Sequence, residues 1–167
     1  MSQLPGSIKF LIACFALGGS SSLYSIIRYQ GNTAYYAFLT HELSVIYFVL
    51  CVVFFILCVA SIWFLIFPKK LGLNTGIAVC LVGSLYEISL LVLTFDNIPG
   101  LKEAYLLAIE QGVLDARAEA VDFMLSTPGL HASTWGMVFI YFTLGFAVSR
   151  SRRYYIQPEK VPPTAVA

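Results

Sequence analysis

Apolar side chains run almost unbroken through four stretches of this sequence: Phe10 to Ile27, Leu43 to Phe67, Gly76 to Phe95 with Glu87 as its one charged residue, and Ser133 to Ser149. None shows the strict alternation of a half-buried strand or the charged stripe of a surface helix. Each can cross roughly 30 Å of hydrocarbon as a helix, for which about 17–25 residues suffice. A helix also closes its own peptide hydrogen bonds where no water can do so. The pattern therefore predicts an all-α membrane protein, a four-helix transmembrane bundle with spans at about residues 8–28, 43–67, 74–95 and 133–150.

The connection between spans three and four, residues 96–132, has a different rhythm. Pro99-Gly100 opens it, and Leu101, Tyr105, Ala108 and Ile109 recur at helical spacing, with Glu110, Asp115, Arg117, Glu119 and Asp122 interleaved. Gly112 divides it, and Val113, Ala116, Ala120, Val121, Met124 and Leu125 form a second apolar stripe that ends at Thr127-Pro128-Gly129. This amphipathic helical segment needs a surface to cover: the mouth of its own bundle, the headgroup layer, or a docking partner. Its acidic excess argues against electrostatic attachment to anionic lipid. Beyond the spanning domain, residues 1–153, the tail 154–167 carries Pro158, Pro162 and Pro163 and is expected to be disordered, while Arg150 to Tyr155 reads as a basic and aromatic interfacial anchor.

Composition agrees, with 59% hydrophobic and 11% charged residues and a mean hydropathy of +0.82; a soluble domain of this size could not cover so much apolar surface. A net charge of +1 gives no basic field for nucleic acid, which is excluded as a partner. The basic residues instead mark orientation. Lys9, Lys69, Lys70, Arg150, Arg152 and Arg153 fall on one side of a four-span chain, which the positive-inside tendency makes cytoplasmic. The expected location is the cell membrane, with both termini inside and residues 29–42 and 96–132 outside. A signal peptide is the alternative for the first span, and Leu11-Ile12-Ala13-Cys14 resembles a lipoprotein cleavage box, but too few apolar residues precede Cys14 for the usual hydrophobic region.

Small residues predict the seams, because helices in lipid associate where backbones approach closely. Gly76, Cys80, Gly83, Ser84 and Glu87 form one face of span three. Ser44, Cys51 and Cys58 form a face of span two, and Gly18, Ser21, Ser22 and Ser25 one of span one. Phe54 falls on the opposite, lipid-facing side in this reading. Size and topology resemble the bacterial quinone-linked thiol oxidases, but those work through cysteine pairs in outer loops. Here Cys14, Cys51, Cys58 and Cys80 all lie within spans, as small seam residues.

Glu87 is the one ionisable residue inside a span. A charged carboxylate near the bilayer centre costs about 2.5–3.5 kcal/mol on insertion scales. Either a neutral carboxyl hydrogen-bonds across the seam to Ser22, Tyr24 or Tyr47, or Glu87 holds a cation or relays a proton. His41 and His131, both at the outer side near Glu42 and Asp96, are candidate ligands for a metal or haem, though their spacing matches no metal motif. No nucleophilic triad, phosphate-cradling loop or carboxylate pair is present, so no catalytic residue and no cofactor is assigned. The expectation is a non-enzymatic accessory, assembly or interaction subunit, binding lipid and either a protein partner or further copies of itself. The alternatives are an oligomeric ion- or solute-coupled transporter built on Glu87, and a redox protein built on the histidines.

Overall fold

The structure, a computed structural model, describes residues 4–114 and 118–155. Asp115, Ala116 and Arg117 of the amphipathic segment and the proline-bearing tail 156–167 lie outside the described residues. Among these residues the chain is all-helical: α1 (Gly6–Ile27), a 3₁₀ turn at Tyr29–Gly31, α2 (Thr33–Leu39), α3 (Ser44–Ile66), α4 (Lys70–Asp96), α5 (Ile98–Glu110), α6 (Ala118–Met124), α7 (Thr127–Arg150) and α8 (Arg152–Tyr155). Four of these, α1, α3, α4 and α7, are long and apolar enough to cross a membrane.

The long helices pack as two pairs, α1 with α3 and α4 with α7, joined along α3 and α4. α1 and α7 meet only lightly, so the set is open between them. The basic end is closed by an apolar cluster of Ile8, Leu11, Phe15, Cys58, Leu65, Val79, Val148 and Tyr155. Gly72 makes room for the Tyr155 ring: a Cβ there would lie 2.8 Å from it. The Tyr154 hydroxyl donates to the Leu65 carbonyl at 2.7 Å, so the ordered helix runs two residues past the boundary expected for the tail and ties it to α3.

At the opposite end, α2, α5 and α6 form a cap with its own core of Tyr36, Ala37, Leu101, Tyr105, Ala108, Leu114, Val121 and Leu125. α2 falls within residues 29–42, which the sequence pattern gives as a connection; Asn32 caps it by accepting from the Ala34 amide at 3.0 Å. α5 starts at Ile98-Pro99 under an Asn97 cap and ends where Gly112 takes a φ of +68°, the left-handed conformation that glycine adopts without strain. Thr127-Pro128 both ends the cap and begins α7, six residues before the expected span: Ser126 is its N-cap and proline sits in the first turn, where its missing amide costs nothing.

One hydrogen bond pins the cap together. The buried Tyr105 of α5 donates its hydroxyl to the Thr33 carbonyl of α2 at 2.7 Å. Tyr105→Phe should lower stability in detergent by about 1 kcal/mol, since it leaves a carbonyl without its donor. Burial also holds the Tyr105 phenol above its ordinary pKa. The unfolded chain ionises first, so this group's contribution is complete below pH about 10 and is lost as pH rises further. Thermal unfolding followed across alkaline pH should fall less steeply in Tyr105→Phe than in the parent; parallel curves would remove the buried phenol from the cap.

Candidate functional site

Between the apolar clusters at the two ends, the interior carries polar side chains among apolar ones. α4 presents Gly76, Cys80, Gly83, Ser84 and Glu87 on one face, and α7 fills most of that stripe. A Cβ on Gly76 would lie 2.9 Å from Val148, one on Gly145 would touch Cys80 at 3.6 Å, and one on Gly83 would meet the Tyr141 ring at 2.5 Å. Past Ser84 on the stripe comes Glu87, which lines two cavities together with Met137 of α7.

On the other wall, Gly18 and Gly19 bring α1 against Phe54 and Cys58 of α3. Phe54 thus packs inward, 3.4 Å from where a Gly18 Cβ would stand and edge-on to Tyr141 at 6.0 Å between ring centres, a correction to its lipid-facing assignment. Ser22 donates to the Cys51 carbonyl at 2.7 Å. Ser25 donates to the Ser21 carbonyl at 2.9 Å and accepts from the Asn32 amide nitrogen at 2.7 Å. Tyr47 reaches the Ser25 carbonyl at 3.5 Å, and Tyr24 is exposed. All three partners expected for Glu87 are therefore engaged or directed elsewhere. Among the described residues its carboxylate has no hydrogen-bond or salt-bridge partner.

The half-buried Glu87 instead lines two adjoining cavities. The first, about 410 Å³, lies between α1, α3, α4 and α7, and includes Ser21, Ser22, Asn32, Tyr86, Glu87 and Tyr141 in its wall. The second, about 300 Å³, runs toward the cap beneath α6 and includes Thr94, Tyr105, Ser133, Thr134 and Glu87. No other charged side chain among the described residues lines either one. Thr94 and Thr134 are each 3% exposed, and neither hydroxyl makes a hydrogen bond to another described residue.

The histidines do not converge. The His41 Nε2 atom faces the Leu93 carbonyl at 2.9 Å and, since a carbonyl only accepts, carries the proton there. Its Nδ1 lies 3.7 Å from the Asp96 carboxylate. His131 is exposed, lies tilted against Phe95 at 5.4 Å between ring centres, and accepts from the Trp135 indole at 3.3 Å. Among the described residues no three His, Cys, Asp or Glu side chains group as metal ligands. The four cysteines are free thiols; Cys51, Cys58 and Cys80 are buried and Cys14 is half-buried.

The sequence reading missed Tyr86, Tyr141, Asn32, Thr94 and Thr134 as wall residues. A signal existed for α7, where Thr134, Met137, Tyr141 and Val148 recur at helical spacing on one face. No family model, no curated protein and no solved structure matches this chain.

Proposed function

We propose that this chain is a non-catalytic, multi-pass protein of the cell membrane, both termini cytoplasmic, that binds a cation or protonated solute at Glu87. The observation that carries this reading is the position of one unpaired carboxylate in the shared wall of two cavities. A carboxylate is costly at that depth, and one used as scaffold would have a donor beside it. Here Ser22 and Tyr47 are committed to backbone carbonyls, and no cavity-wall hydroxyl, those of Tyr86, Tyr141, Thr94 and Thr134 included, hydrogen-bonds to Glu87. Glu87 stands nine residues, about 13 Å, from the end of α4 at the cap, and the second cavity extends from it toward that end. In this reading the cap faces outward and a solute reaches Glu87 from the outer side.

Topology is tested first. In a version without native cysteines, Glu103→Cys on the exposed face of α5 should react with an impermeant maleimide added from outside, and Lys70→Cys only after permeabilisation; the reverse pattern would sink the orientation. The site is tested by charge-selective labelling. A cysteine at Ser21, in the wall of the first cavity, should react about tenfold faster with a cationic thiosulfonate than with an anionic one of like size. One unit charge several Å away supplies that much at an effective dielectric of about 20. Glu87→Gln should erase the preference, and equal rates in the parent would remove Glu87 as an electrostatic site.

A second reading, an accessory subunit, is favoured by the open side between α1 and α7 and by the exposed Trp135, Phe139, Phe142 and Phe146 of α7. In that case a partner's spanning helix, or another copy of the chain, covers this face. Native mass spectrometry from mild detergent distinguishes the two, a stable complex supporting the subunit and a monomer supporting the binding protein.

A further inference from the structure

We infer that the Glu87 cavity takes a monovalent organic ammonium with a compact apolar body, a ligand class that deepens and rests on the cation-binding reading above.

Charge sets the valence. Glu87 is the single charged group in either wall among the described residues, so one positive charge neutralises the site. Hard divalent ions take about six or more oxygen ligands, several of them charged. One carboxylate beside hydroxyls and aromatic rings does not make such a cage.

Size and wall chemistry set the body. About 410 Å³ lies within the roughly 300–1,000 Å³ of small-molecule sites and far exceeds a bare monovalent ion. Most of the remaining wall is apolar, with Leu17, Leu50, Val82, Leu90 and Met137. The rings of Phe54, Tyr86 and Tyr141 line the same cavity as Glu87, and aromatic rings attract a cation over their faces.

Hydrogen-bond polarity points the same way. The Ser22 hydroxyl proton is committed to the Cys51 carbonyl, so that oxygen offers only lone pairs to a ligand. Ser25 is engaged both as donor and as acceptor. A ligand at this wall meets the Glu87 carboxylate and the Ser22 Oγ lone pairs as fixed acceptors, beside the Ser21, Tyr86 and Tyr141 hydroxyls, which can accept as well as donate; the carboxylate's charge suits an N–H-bearing cation and disfavours a carboxylate or phosphate. The second cavity gives the bound ammonium a further substituent channel past Thr94 and Thr134.

The test uses the full-length protein in nanodiscs, with calorimetric titration of 2-phenylethylammonium and of its neutral counterpart 2-phenylethanol. The ammonium should bind saturably at one site per chain and at least tenfold more tightly than the alcohol. Glu87→Gln, shown by circular dichroism and unfolding temperature to be folded, should lose at least that tenfold, about 1.4 kcal/mol, while its alcohol affinity stays the same. Equal affinity for ammonium and alcohol overturns the proposal, as does displacement of the ammonium by equimolar sodium or potassium. If neither probe binds while charge-selective labelling at Ser21→Cys persists, the organic ligand is wrong and the Glu87 cation site stands. If labelling selectivity is absent as well, the reading beneath it fails.

Discussion

Gly83→Leu is expected to lower unfolding stability in detergent by about 1–3 kcal/mol, the usual cost of forcing extra methylenes into a packed seam. A Cβ at Gly83 would already stand 2.5 Å from two atoms of the Tyr141 ring, closer than van der Waals contact allows. The ring is backed by Phe54 across the cavity wall, so it cannot simply swing toward α3. Two responses remain: α7 moves away from α4, or Tyr141 tips into the first cavity and fills part of it. Either should also close the groove to a cysteine reagent directed at Ser21→Cys. The control is Phe142→Leu, at a ring 73% exposed on the outer face of α7, which should change stability by no more than about 0.5 kcal/mol. Thermal unfolding of both variants decides the matter, and equal midpoints would mean that α4 and α7 do not meet along Gly83.

The span helices were legible because an unbroken apolar run is the one pattern that local chemistry and bilayer physics read alike. Their ends were less so. α4 begins at Lys70, ahead of the expected residue 74, because Leu71 to Thr75 contains no proline and its one glycine, Gly72, is packed against the Tyr155 ring. α7 begins at Thr127 because a proline that reads as a stop after one helix is equally a first-turn residue of the next. α2 escapes the pattern because seven residues between a 3₁₀ turn and a polar corner carry too little periodicity to stand out; its buried Tyr36, Ala37 and Phe38 gain their place from α3, α4 and α5.

The candidate site divides along the same line. Glu87 was visible because a charge within an apolar run is rare, and Gly18, Ser22, Cys51, Cys58, Gly76, Cys80 and Gly83 were visible as small residues at helical spacing. What spacing could not give was the pairing between helices. It therefore could not tell that Ser22 spends its proton on Cys51, that Phe54 turns inward onto Gly18, or that Tyr141 lies over Gly83. Those facts depend on which face of α1 meets α3 and which face of α7 meets α4. They also change the reading of Glu87, because a carboxylate whose expected donors are occupied is no longer explained by the seam around it.

Glu87→Leu should therefore leave the folded protein at least as stable as the parent while removing its affinity for cations. A scaffold acid bonded across a seam behaves in the opposite way: deleting it strands a buried donor and costs about 1–3 kcal/mol. In this structure no described residue donates to Glu87, so the substitution strands nothing, and it replaces a half-buried carboxylate with a side chain that the surrounding Val82, Leu90 and Met137 solvate well. Relief of an intramembrane carboxylate makes a gain of about 0.5–2 kcal/mol the expected result, the range seen when a residue kept for function is exchanged for one suited to folding. Glu87→Gln should fall between the two, retaining polarity without charge. The measurement is the unfolding temperature of parent, Gln and Leu variants in the same detergent, with and without 2-phenylethylammonium. The parent should shift upward with ligand by more than either variant, since a ligand raises the midpoint more the more tightly it binds the folded state. A Leu variant that unfolds well below the parent would return Glu87 to the scaffold, and with it the groove to ordinary helix packing.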